Sequence, residues 1–134
     1  VKSETTASMV IDYIENRQII WHTSAPNPCV SIYKPIFLRD GTTTIPFLKS
    51  MHDSEQYFLE NKALSAFFLK HSGFFKTEIK GLRDKLEQEF QDIIYQGLDT
   101  KTDEQLAADC MLCYEKEQAY KSTIHQIIKS NYGE

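Results

Sequence analysis

The sequence predicts an α+β protein in which a short set of antiparallel strands precedes about three α-helices. Three observations carry this reading. Before about position 50, β-branched and aromatic residues come in short runs broken by turn residues. After it, apolar residues recur at steps of three and four, the period of a helix with one buried face. Asp53 with Gln56, and Thr102 with Gln105, also have the spacing of capping boxes, in which each side chain serves a backbone N–H at a helix start. Residues 1–48 therefore read as strands and residues 49–134 as a helical region, two parts of one larger domain.

Each element follows from its residues. Met9, Ile11 and Tyr13 fall on one face of an extended segment, with Ser8, Val10 and Asp12 on the other. The polar Glu15-Asn16-Arg17 reverses the chain, and Gln18 to Thr23 returns with Ile19 and Trp21 opposite Ile20 and His22, completing a hairpin. Pro26 and Pro28 stiffen the loop from Ser24 to Cys29 by fixing two φ angles and removing two donors. Val30 to Leu38 resumes an extended run, where Pro35 marks a bulge or a sheet edge. Asp40-Gly41 is a turn, and Thr42 to Pro46 adds a short strand.

A first helix begins near residue 54, buries Tyr57, Leu64, Phe67 and Phe68, and stops at Ser72-Gly73. The second carries Phe75, Ile79, Leu82, Leu86, Phe90 and Ile93 on one stripe, with Gly81 allowing close packing and Gly97 as the C-terminal cap. The third starts at Thr102 and continues a stripe through Leu106, Cys110, Cys113, Tyr120, Ile124 and Ile127. The hairpin is apolar on both faces, whereas these helices cover one side of it comfortably. A second covering layer is expected, supplied by further chain or by a second copy.

Composition narrows the function classes. The net charge is -4 and Lys and Arg are interspersed with Asp and Glu, so no basic stripe follows a nucleic-acid backbone. Apolar runs are far shorter than the roughly 20 residues of a membrane span. The N-terminal residues lack the pattern of a secretory signal, and three cysteines form an odd set, which points to reduced thiols in a cytoplasmic setting.

Three motifs in order resemble the closing strands of the secernins, in the dipeptidase branch of the N-terminal-nucleophile hydrolases. They are Thr5-Thr6-Ala7-Ser8-Met9-Val10, then Trp21-His22-Thr23-Ser24-Ala25-Pro26-Asn27-Pro28, then Ser31-Ile32-Tyr33-Lys34-Pro35. Leu59 to His71, and Asp109-Cys110 with Glu115 and Glu117, fall where that family has an aromatic-rich helix and an Asp-Cys-containing terminal helix. The resemblance implies the closing antiparallel strands of an αββα sandwich followed by about three helices. It implies a hydrolase of C–N bonds in dipeptides or small amides, acting through a cysteine at the mature N-terminus whose α-amine serves as base. Val1 is no nucleophile, so the chain is expected to be inactive alone and to need the N-terminal part of the same protein.

By the same resemblance Thr5, Thr6 and Ser8 run beside the substrate pocket, although Met9 stands where some relatives have an Arg. These hydroxyls are equally ordinary strand residues. His22, beside Trp21 and the proline-bounded loop, is the histidine most suited to a substrate-side role, against the alternative of a packed, hydrogen-bonded residue. No catalytic residue, cofactor or metal ligand is assigned. Cys110 and Cys113 have the spacing of a redox or metal pair but sit within one helical stripe without further ligands, and read as small buried thiols. The different-class alternative is a non-catalytic interaction or dimerisation module.

Overall fold

The protein, seen in a computed structural model, is described over residues 8–14, 17–23, 25, 27–38 and 51–133. Strands β1 (Met9–Ile14) and β2 (Arg17–His22) pair antiparallel, with Met9 opposite His22 and Ile14 opposite Arg17. β3 (Lys34–Leu38) pairs antiparallel with the other side of β2, giving the order β1-β2-β3. The expected hairpin is present; Glu15 and Asn16 of its reversal, the turn at Asp40-Gly41 and the strand over 42–46 lie outside the described residues.

The third strand is shorter than the sequence suggested. Pro28–Val30 form a 3₁₀ turn entered through Asn27 at φ 62. Pro28 pre-sets the first turn, and Arg83 Nη1 donates to the carbonyls of Cys29 at 2.8 Å and Ser31 at 3.1 Å, drawing this segment towards the helices. Pro35 sits opposite Trp21 in an uninterrupted ladder, so it makes no bulge, and among the described residues β3 is an edge strand, where a missing donor is tolerated.

Helix α1 spans Met51–Lys70. Asp53 therefore lies in its first turn, where its charge suits the positive end of the helix dipole, and not at the cap. The first helix stops at Lys70, just before the expected Ser72-Gly73, where His71 leaves the helical region at φ -119, ψ 55. After His71 the chain re-enters helix at α2 (Ser72–Phe74), passes through a π turn at Phe75–Ile79 and continues as α3 (Lys80–Tyr95). His71 closes the first helix by donating N to Phe67 O at 2.9 Å and opens the next by accepting from Phe75 N at 3.0 Å.

The π turn inserts residues relative to an α-helical count and rotates the buried stripe. Phe75, Ile79, Phe90 and Ile94 are buried, Leu82 is 41% exposed, and Arg83 takes the buried position beside it. Gly81 has no neighbour within 4 Å of a Cβ built on it, so it serves no close approach. Gly97, at φ 67, follows the end of α3 as expected, and Lys101 Nζ donates to the last-turn carbonyls of Ile93 at 2.5 Å and Ile94 at 3.1 Å. The capping box forms at α4 (Asp103–Tyr132): Gln105 N donates to Thr102 Oγ1 at 3.1 Å and Thr102 N to Gln105 Oε1 at 2.8 Å.

Two apolar cores result. Ile19, Trp21 and Ile32 pack on Phe90, Ile94, Leu98, Leu106, Cys110 and Cys113. Val30, Phe68, Phe75, Ile79 and Ile124 form the second. At 30 residues, α4 is about 45 Å long and joins the two, its first half packed beside β3 and its last turn stacking Tyr132 among Phe67, His71 and Phe74. Arg17 ties the sheet to the α3–α4 connection through the carbonyls of Leu98 at 2.9 Å and Lys101 at 2.6 Å. The fold is α+β with one three-stranded sheet among the described residues; Ile19 and Trp21 are buried on one face, and His22 and Lys34, on the other, are buried as well.

Candidate functional site

Three features can carry function: the free edge of β1, a groove between the sheet and α3, and a buried polar centre where the sheet meets α1 and α4.

β1 has one strand neighbour among the described residues, β2. Met9 is 62% exposed, Ile11 42% and Tyr13 71%, and all three share the face opposite Trp21. Val10, on the helix-side face, is also exposed. An edge strand of this kind offers a row of backbone groups bordered by apolar side chains, with neither Pro nor Lys to block pairing.

The groove lies on the helix-side face and has a volume of about 310 Å³. Asp12 from β1, Trp21 from β2, Tyr33 before β3, and Glu87 and Tyr95 from α3 line it. Trp21 Nε1 donates to Tyr95 OH at 2.8 Å, and Tyr95 OH donates in turn to Asp12 Oδ2. Burial and the Asp12 carboxylate push the Tyr95 hydroxyl up to about 12. Glu87 Oε2 accepts from Tyr33 N at 2.8 Å, and burial holds its carboxyl above the usual range.

The buried centre is built by residues that interrupt otherwise apolar helix faces. Tyr57, Asn61 and Ser65 recur every fourth residue on α1, and Tyr114, Glu117 and Lys121 at steps of three and four on α4. Lys34 Nζ lies 2.9 Å from Glu117 Oε2 and donates to Thr23 O at 2.7 Å. Tyr57 OH donates to Glu117 Oε1 at 2.5 Å. Lys121 Nζ stands 4.3 Å from the Tyr57 ring centre and 4.0 Å from Glu60. Burial pulls both lysine ammonium groups down, opposed by the Glu117 charge. A cavity of about 20 Å³ lies among these side chains, the size of a single water. Lys34 and Glu117 are fully buried, so the pair offers no open nucleophile or base.

The predicted site residues do not converge. Thr5 and Thr6 lie outside the described residues. Ser8 pairs with Thr23 through Ser8 N to Thr23 Oγ1 at 3.1 Å, and its hydroxyl bonds Tyr33 OH at 2.7 Å on the groove side. His22 points to the opposite face, 8% exposed, with Nε2 hydrogen-bonded to Tyr114 OH. Burial and the nearby Lys34 ammonium pull its pKa down to about 3, so it is neutral at physiological pH. Cys110 and Cys113 are buried free thiols, and burial raises both, Cys110 to about 12. The sequence reading named Tyr57 as a stripe residue and Lys34 within a motif, gave neither a site role, and passed over Tyr114 and Lys121. Their signal was the polar residues interleaved at core spacing along α1 and α4.

Comparison with models of known families, with curated proteins and with solved structures finds no match.

Proposed function

We propose that this chain is a protein–protein interaction module that self-associates through β1. The exposed, unprotected edge of Met9–Ile14 carries the reading. A two-fold antiparallel pairing centred on Ile11 sets Met9 opposite the partner copy's Tyr13 and Ile11 opposite Ile11, an apolar row on one face. Asp12 then faces Val10 and the like charges stay apart. One self-complementary strand serves both copies, which is the simplest closed assembly. Sedimentation across a concentration series should report a monomer–dimer equilibrium. Ile11→Lys should shift it to monomer with the circular dichroism spectrum unchanged, because that side chain is half in solvent. A monomer at every concentration, or a dimer indifferent to Ile11→Lys and Tyr13→Glu, refutes the reading.

A second reading rests on the order of the three secernin-like motifs together with the exposed side chains of Met9, Ile11 and Tyr13 on β1. In it, β1 is covered by a preceding part of the same protein that carries an N-terminal cysteine and cleaves dipeptide or small-amide C–N bonds. The chain by itself then turns over no dipeptide. A longer polypeptide carrying the upstream residues protects the β1 amides from hydrogen exchange without forming a dimer.

A further inference from the structure

We infer that the groove between the sheet and α3 is a binding site for a small organic cation, an alkylammonium or quaternary ammonium group. Its volume of about 310 Å³ falls at the lower end of small-ligand pockets. Its charged lining residues are Asp12 and Glu87, and among the described residues no Lys, Arg or His lines it. Both carboxylates are oriented in advance, Asp12 by Tyr95 OH and Glu87 by Tyr33 N, so little ordering is left for a ligand to impose.

Arg83, which does not line the groove, pairs with Glu87 from outside it and holds other partners as well. Its Nη1 holds the Cys29 and Ser31 carbonyls, its Nε lies 2.9 Å from Asp84 Oδ1, and it stands 3.9 Å from Glu87 Oε1. The remaining lining is Val10, Gln91 and the rings of Trp21, Tyr33 and Tyr95, and aromatic faces attract cations while also burying attached methyl groups. A metal ion suits the groove poorly: calcium takes six to eight oxygen ligands, and the described residues contain no group of three or more metal-binding side chains. Two separated carboxylates among three aromatic rings match a diffuse positive charge with an apolar surface.

Trp21 is the single tryptophan of the chain, so its fluorescence reports the groove directly. Choline chloride should produce a saturable change in Trp21 emission at constant ionic strength, and 3,3-dimethylbutan-1-ol, its neutral isostere, should not. Asp12→Asn and Glu87→Gln should each weaken choline binding about fivefold, the equivalent of ~1 kcal/mol, with circular dichroism confirming that both variants fold. Repeating the titration on Ile11→Lys separates ligand binding from self-association. Equal responses to choline and the alcohol, no saturable response to choline, or unchanged affinity in both carboxylate variants overturns the assignment.

Discussion

Acidification from pH 8 to pH 5 should destabilise the fold through His22, although this histidine touches no solvent-facing site. Its folded pKa of about 3 lies below the ordinary imidazole value of 6.5, so the unfolded chain binds a proton that the folded chain refuses. The contribution of neutral His22 is complete above the unfolded value and is lost progressively as pH falls from 6.5 towards 3. At pH 5 the loss is ~2 kcal/mol, and the full shift corresponds to about 5 kcal/mol. Burial sets it first, and the Lys34 ammonium, opposite His22 across the β2–β3 ladder, adds to it. Urea unfolding of the wild type and of His22→Gln, followed by circular dichroism at pH 8, 7, 6 and 5, isolates this contribution, because titrations common to both proteins cancel in the difference. The wild type should lose ~2 kcal/mol more than the variant over this range. Parallel profiles refute the reasoning, since a half-solvated His22 with an ordinary pKa behaves that way.

Two further perturbations test the packing. Glu117→Leu leaves the Lys34 ammonium buried without its carboxylate and should cost about 3–5 kcal/mol, with Lys34→Met added to it restoring a large part; thermal unfolding reads both, and a single-variant cost under about 1 kcal/mol contradicts a buried ion pair. Phe90→Ala should cost about 3–5 kcal/mol and Leu82→Ala under about 1 kcal/mol. Equal losses in urea unfolding mean that the π turn does not rotate the α3 stripe.

The fold class was legible because local periodicity encodes it. The alternation of Met9, Ile11 and Tyr13 against Val10 and Asp12 defines a strand in any context, and Thr102 with Gln105 closes its box using neighbours in sequence alone. Gly97 ends a helix for the same local reason, its positive φ. Where the outcome depended on partners distant in sequence, periodicity fell short. Arg83 captures two carbonyls from residues 29 and 31, shortening the third strand, and the π turn at Phe75–Ile79 exchanges Leu82 for Arg83 at a buried position.

The candidate sites divide in the same way. The sequence by itself placed Ser8 and His22 beside a hairpin and left the apolar outer face of that hairpin in want of cover. Only the tertiary structure put the two residues on opposite faces. It alone brought Lys34 to Glu117 across 83 positions and Asp12 to Tyr95 across the same separation. The physical reason is that a charge enters the interior only with a partner to offset its desolvation. That partner is chosen by the packing of distant elements, which no local pattern records.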